Sequence, residues 1–286
     1  MPRLDSDNLK TQLRPVRRWQ KHMRLEATVA ARRFSPGSRA LPRFLIVGAA
    51  KAGTTSMYEY LSQHPNVRAP LVKEIHYFDH SYGRGIGWYR GYFPRLSGRQ
   101  ITGEATPYYL FHPCVPSRVQ RHLPDARFIV LLRDPIDRLV SQHNHEFADG
   151  FEDLSLEAAL DREEHRLAGQ EEKLLRDPGL RSFSHQHHSY IARGCYADQL
   201  ERWFGCFDRE QFLILSAEDL FRSPHAVVRL AQHHLGLDEV EPHDTTVRNA
   251  RSYAEISATT RERLQATFAP HNQRLYELVG RDFGWG

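Results

Sequence analysis

One short passage constrains the fold more than any other. Phe44-Leu45-Ile46-Val47 is an unbroken apolar run that passes into Gly48-Ala49-Ala50-Lys51-Ala52-Gly53, and Thr54-Thr55-Ser56 follow at the head of a stretch carrying Met57, Tyr58 and Leu61 on one side. An apolar run without alternation reads as a strand buried on both faces, which calls for a parallel sheet covered by helices. A strand, a glycine loop and a helix in that order bring backbone N–H groups and the positive end of a helix dipole to one point, where an anion is favoured. Phe128–Leu132 and Phe212–Leu215 repeat the buried-strand signature. Helices are expected from Thr54 to the break at His64-Pro65, near Ser117–His122, from about Pro135 to Phe147, and over 155–175, 196–206, 223–235 and 257–279. The alternation predicts an α/β fold, a P-loop-like parallel β-sheet flanked by helices.

The glycine spacing of the loop matches the Walker A pattern, but its end does not. A nucleotide triphosphatase places Lys and then Ser or Thr after the last glycine, for the β/γ-phosphates and magnesium. Here Thr54 stands at the lysine position, and the loop's lysine is Lys51, three residues earlier. A lysine in mid-loop suits a leaving or bridging oxygen of a bound phosphate, without a metal-bound triphosphate. The bland reading of the loop alone is a Gly-rich strand-to-helix turn.

Charge is unevenly spread. Residues 1–41 hold ten basic side chains against three acidic ones, and the remaining 245 residues carry 29 against 32. The chain thus reads as a basic arm over 1–41, with a weakly amphipathic helix over 8–33 and a Ser35-Pro36-Gly37-Ser38 break, attached to a mildly acidic single domain over 42–286. Nucleic acid is not the expected partner; the arm's charge suits peripheral contact with a membrane surface, a neighbouring subunit or an acidic acceptor. Three cysteines, Cys114, Cys195 and Cys206, imply neither a disulfide framework nor structural zinc, and with no apolar run near the length of a membrane helix they predict a cytoplasmic protein. Seventeen histidines invite a metal reading, but none has ligand spacing: His143 and His145, two apart on a helix, point to different faces. No metal is expected. The acidic stretch 152–178 reads as a solvated helical insertion.

Lys51-Ala52-Gly53-Thr54-Thr55-Ser56 after a strand resembles the 5′-phosphosulfate loop of sulfotransferases that use 3′-phosphoadenosine 5′-phosphosulfate (PAPS). Lys73-Glu74-Ile75-His76-Tyr77-Phe78-Asp79 with Gly87-Trp88-Tyr89 and Tyr92-Phe93-Pro94 resembles the matching stretch of heparan sulfate N- and O-sulfotransferases. So do Gly103–Tyr109, Leu132-Arg133-Asp134-Pro135 with Arg138 and Ser141, Arg193-Gly194-Cys195-Tyr196, and the closing Asn272–Tyr276 with Asp282-Phe283-Gly284-Trp285. The match runs in order over 43–285.

The resemblance implies transfer of a sulfuryl group from PAPS to a hydroxyl or amine of a carbohydrate or small-molecule acceptor, leaving adenosine 3′,5′-bisphosphate (PAP). It implies Lys51 at the departing phosphate oxygen and Ala52, Gly53, Thr54, Thr55 and Ser56 around the 5′-phosphate. Arg133 and Ser141 fall to the 3′-phosphate, with Arg193 near the nucleotide and Arg248 and Arg251 in a capping loop over 244–254. Glu74 is the implied general base and His76 the runner-up, since cytosolic small-molecule sulfotransferases use histidine. From residue types alone, Glu74 also reads as a surface ion pair, and Arg133-Asp134 as a strand-end ion pair or a Walker B aspartate. One departure stands out: several heparan sulfate enzymes carry lysine where this chain has Ala105, which argues against a highly sulfated polysaccharide acceptor. A magnesium-dependent P-loop kinase and a non-catalytic module binding an anionic nucleotide or glycan are the rival functions.

Overall fold

The computed structural model describes residues 20, 23–32, 39–248 and 256–285. Four parallel strands, β1 (Phe44–Gly48), β2 (Gly103–Ala105), β3 (Arg127–Leu132) and β4 (Phe212–Ser216), form one sheet in the order β2-β1-β3-β4. Three of them are the expected apolar runs. β1 is buried throughout, and Phe44, Leu45 and Ile46 pair with Arg127, Phe128 and Ile129 of β3. The chain leaves β1 on one side to build β2 and returns on the other to build β3, so the carboxyl ends of β1 and β3 flank a topological switch point, where ligands of open α/β sheets bind.

Helical residues 23–32 (α1) belong to the basic arm, and this part of it is docked on the body. Val29 is fully buried, and Glu26 pairs with Arg84 at 2.6 Å and accepts from the Trp88 indole at 3.4 Å. Of the rest of the helix expected over 8–33, only residue 20, also helical, is among the described residues. Around the sheet come α2 (Thr54–Ser62), α3 (Tyr77–His80), α4 (Ile86–Arg90), α5 (Val115–His122), α6 (Pro135–Ala148), α7 (Leu156–Leu167), α8 (Gln170–Arg176), α9 (Phe183–His187), α10 (Tyr196–Phe204), α11 (Ala217–Arg222), α12 (Pro224–His234) and α13 (Ala258–Val279).

The helix expected over 155–175 is two helices, because Gly169 turns left-handed (φ 69°) between α7 and α8. Nor is the acidic 152–178 stretch merely solvated. Ala159, Leu160 and Leu174 are buried, and the Glu163 carboxylate, also buried, accepts the backbone N–H groups of Ile191 and Ala192 at 2.7 and 2.9 Å. A second small core, with Leu139, Leu160, Tyr190 and Phe268, packs α6 against α7 and α13. Trp285 packs on Tyr196 and Phe283.

β2 escapes sequence reading. It is three residues long with a charged residue in the middle, and Glu104 is fully buried there. Gly103 is obligatory: a Cβ would stand 2.4 Å from the Phe44 ring.

Candidate active site

A cleft of about 740 Å³ opens at the carboxyl ends of β1 and β3. Its floor is the loop between β1 and α2. Lys51 (φ 70°) and Gly53 (φ 84°) both take the left-handed conformation, which turns successive N–H groups toward one side before α2 begins. Gly48 is required by close approach, since a Cβ there would lie 2.6 Å from the Leu110 Cβ. Among the described residues, the only non-glycine positions with left-handed backbone are Lys51 and His76, and both border the cleft. Such conformations cost about 1–3 kcal/mol each and persist where the surroundings dictate them.

Lys51, Gly53, Thr54 and Thr55 line the cleft; Ala52 is packed in the core and offers only its backbone. Ser56 turns inward. It is fully buried, and its hydroxyl accepts the Arg248 backbone N–H at 3.0 Å, so it ties the 244–248 segment to α2 and does not face the cleft. Arg248 does line the cleft, with its guanidinium held by Glu59 and Asp244, each at 2.6 Å. Arg251 lies outside the described residues.

From the end of β3, Arg133 reaches back to donate to the Lys51 carbonyl at 3.2 Å. Neither alternative reading of Arg133-Asp134 survives. Asp134 is the N-cap of α6, with Oδ1 accepting from the N–H groups of Ile136 and Asp137. Pro135 at the first helical position and this cap start α6 at the cleft edge. Ser141, Gln142 and His145, spaced to share one face, then line the cleft along its length. Arg193 borders the cleft but is nearly fully buried; its donors go to the Ser189 hydroxyl and the carbonyls of His185 and Gln186, under the Tyr108 ring. It shapes the wall through Nε and Nη2.

Glu74 lines the same cleft, with its carboxylate about two-fifths exposed. Lys73 Nζ sits 2.6 Å from Glu74 Oε1 and donates to Thr55 Oγ1 at 2.7 Å, bridging carboxylate and phosphate loop. On the other side His76 Nε2 is 3.5 Å from Glu74 Oε2, and His76 Nδ1 meets the wholly buried Asp79 carboxylate at 2.6 Å. Burial alone would push Glu74 upward, but the His76 hydrogen bond and the Lys73 charge outweigh it and hold the carboxyl near 2. Burial would likewise depress His76, yet Asp79 and Glu74 raise it to about 10, so the ring is an imidazolium at neutral pH. His80, stacked on His76 at 4.9 Å, is pushed down to about 4, chiefly by burial, and stays neutral.

The Glu74 segment is stapled from below by β2. Glu104 Oε2 accepts the Ile75 N–H at 3.2 Å, and the Tyr109 hydroxyl accepts those of Tyr77 and Phe78 at 2.9 and 3.3 Å. Tyr89, Tyr109 and Thr106 all donate into Glu104, at 2.5, 3.2 and 2.7 Å. Burial still raises this carboxyl to about 7.

Two residues to which the sequence assigns no role join the site. Asp79 sets the charge on His76. Phe221, on α11, is 38% exposed, packs on Gly53 and lines the cleft beside Val247 and Arg248. A large exposed aromatic at a helix end after a buried strand is the signal it left in the sequence.

His76, Asp79 and His80 also bring ligand atoms within 4.8 Å of one another. The 2.6 Å contact between His76 Nδ1 and Asp79 is a hydrogen-bonded ion pair, too close for two donors spread around a metal ion at about 2.0–2.2 Å each. Other histidines are held singly by protein oxygens, His143 by the Leu154 carbonyl and His187 by Glu146.

Residues 41–267 match the family model described as a sulfotransferase domain. The chain is 31% identical over 295 residues to the heparan sulfate glucosamine 3-O-sulfotransferase 6 of Mus musculus, covering 92% of this chain and 79% of that protein. It is 28% identical over 314 residues to the membrane-associated sulfotransferase kil1 of Dictyostelium discoideum, covering 86% of this chain and 66% of the relative. The crystal structure of a sulfotransferase from Alicyclobacillus acidocaldarius superposes with a TM-score of 0.70 at 34% identity, over 85% of this chain and 98% of that one. These relatives correct the expectation of a cytoplasmic protein, since one of them is membrane-associated. Unpaired cysteines and short apolar runs do not report on attachment by other means. Among the described residues no helix is long and apolar enough to cross a membrane.

Proposed function

We propose, on the premise that the chain belongs to the sulfotransferase family and is a PAPS-dependent sulfotransferase, that it passes the sulfuryl group in line to an acceptor hydroxyl with Glu74 as general base. The observation that carries this reading is the bridge from Thr55 through Lys73 to Glu74, which ties the carboxylate to the phosphate loop within one cleft. A hydroxyl acceptor is favoured because the mouse relative is named for 3-O-sulfation.

The residues suit the donor's two ends. The left-handed turns at Lys51 and Gly53 and the start of α2 make a nest for the 5′-phosphate, with Thr54 and Thr55 beside it. Arg133 and Ser141, both in the cleft lining, are the residues proposed for the 3′-phosphate, and Phe221 offers a face suited to stacking with the adenine. PAPS supplies the sulfuryl group; the protein supplies charge and a proton acceptor. As the acceptor oxygen bonds to sulfur and the sulfur–phosphate oxygen bond breaks, the hydroxyl proton passes to Glu74, and Lys51 meets the charge growing on the departing oxygen.

Glu74 is favoured over His76 because the imidazolium has no lone pair to take a proton; His76 is a positioning residue. A carboxyl held near 2 is a weak base in the resting site, so the proton moves as the O–S bond forms and the hydroxyl becomes acidic. The test is transfer from labelled PAPS with mass spectrometry of the acceptor. One sulfated product per PAP released is expected; PAP released without sulfated product would contradict the reading.

A further inference from the structure

The far end of the cleft differs in kind from the loop end. Phe151 and Phe183 are 42% and 51% exposed, and they are not scattered singly. Phe151 and Phe183 meet edge to face at 5.9 Å, and the His187 ring lies 4.4 and 4.6 Å from them. Phe151 and His187 belong to the cleft lining, so the aromatic patch continues the site that holds Glu74. It is also built. His187 Nδ1 is fixed by the Glu146 carboxylate at 2.8 Å, His188 Nε2 lies 2.9 Å from the Phe151 carbonyl, and the Ser182 hydroxyl caps α9.

Among the described residues, few cations are directed into this end of the cleft. Arg133 lies by the loop, Lys73 is paired with Glu74, Arg248 with Glu59 and Asp244, and Arg193 is nearly fully buried with Nε and Nη2 turned to hydroxyl and backbone oxygens. The exposed Arg181, on the approach to α9, is tied to the His80 carbonyl and away from the Phe183 face. The acidic group of the mouth is Glu146. A polyanion is recognised by arginine forks and lysines directed at its charges, whereas exposed rings bind flat apolar faces.

We propose that the platform of Phe151, Phe183 and His187 is the acceptor subsite, and that it takes an uncharged hydroxyl compound with a flat apolar face in place of a densely sulfated chain. The proposal rests on the sulfotransfer reading above. An aryl alcohol and a neutral sugar share that chemistry, one through its ring and the other through its C–H face.

The test is transfer from labelled PAPS by the full chain to a phenol, a neutral alkyl glucoside and an N-sulfated heparan oligosaccharide. The phenol or the glucoside is expected to give a kcat/KM at least tenfold above the sulfated oligosaccharide, and whichever leads identifies the face. In the double variant Phe151→Ser with Phe183→Ser, KM for that acceptor is expected to rise at least tenfold while PAP affinity by calorimetry is unchanged, with Phe151→Tyr retaining the wild-type KM. Preference for the sulfated oligosaccharide, or an unmoved KM in the double variant, overturns the platform and leaves sulfotransfer standing. Transfer to none of the three overturns both.

Discussion

Replacing Glu104 by glutamine tests the polar support beneath the site, and its consequence follows from one buried carboxyl. Glu104 has no exposure and accepts from Tyr89, Tyr109, Thr106 and the Ile75 N–H, yet burial raises it from 4.5 to about 7. Between those values the folded chain holds a proton that the unfolded chain has released, so unfolding free energy falls as pH rises through this window. At about 1.4 kcal/mol per tenfold, the interval corresponds to a loss of roughly 3 kcal/mol, fully developed above pH 7. Glutamine mimics the protonated carboxyl. Its oxygen can face Ile75 and Thr106 while its amide donates to the tyrosine hydroxyls, at a cost of about 1–2 kcal/mol for the rearranged network. Urea denaturation from pH 5 to 8.5 is therefore expected to show wild-type stability declining by roughly 3 kcal/mol and Glu104→Gln nearly flat, less stable at pH 5 and no worse at pH 8. Equal slopes in the two proteins would refute the assignment of that decline to Glu104.

Lys51→Ala is expected to lower kcat by about 10²–10³, the scale of losing one charged donor at a developing oxyanion; unchanged turnover would remove Lys51 from the reaction. With Glu74 held near 2 and His76 near 10, neither group titrates between about pH 4 and 9. The kcat/KM profile should thus lack an inflection near 6.5, and one that disappears in His76→Asn would identify histidine as the base. Chelation with EDTA is expected to leave the rate unchanged, whereas a magnesium-dependent kinase would stop.

What the sequence made legible follows physical lines. β1, β3 and β4 are read from apolar runs because strands of a covered parallel sheet are apolar on both faces. β2 is hidden because the burial of Glu104 is made possible by Tyr89, Tyr109 and Thr106, two of which are also near it in the chain and one only in space. The loop from Gly48 to Thr55 is legible because its glycines meet backbone requirements that leave few alternatives. Ser56 is not, since a hydroxyl beside a phosphate loop looks the same in sequence whether it faces the cleft or holds Arg248. Asp79 stood within the matched stretch with no role assigned, because its effect on Glu74 passes through the His76 ring. Phe151 and Phe183 lie 32 positions apart, and only the packing of α9 on the end of α6 makes them one surface.

The account stands most directly on Glu74→Gln, a change that keeps the shape of the side chain and removes its capacity to take a proton. Single-turnover transfer from PAPS should fall by about 10²–10⁴ while PAP binds as tightly as to the wild type. Transfer at the wild-type rate, with PAP bound equally well, would contradict it.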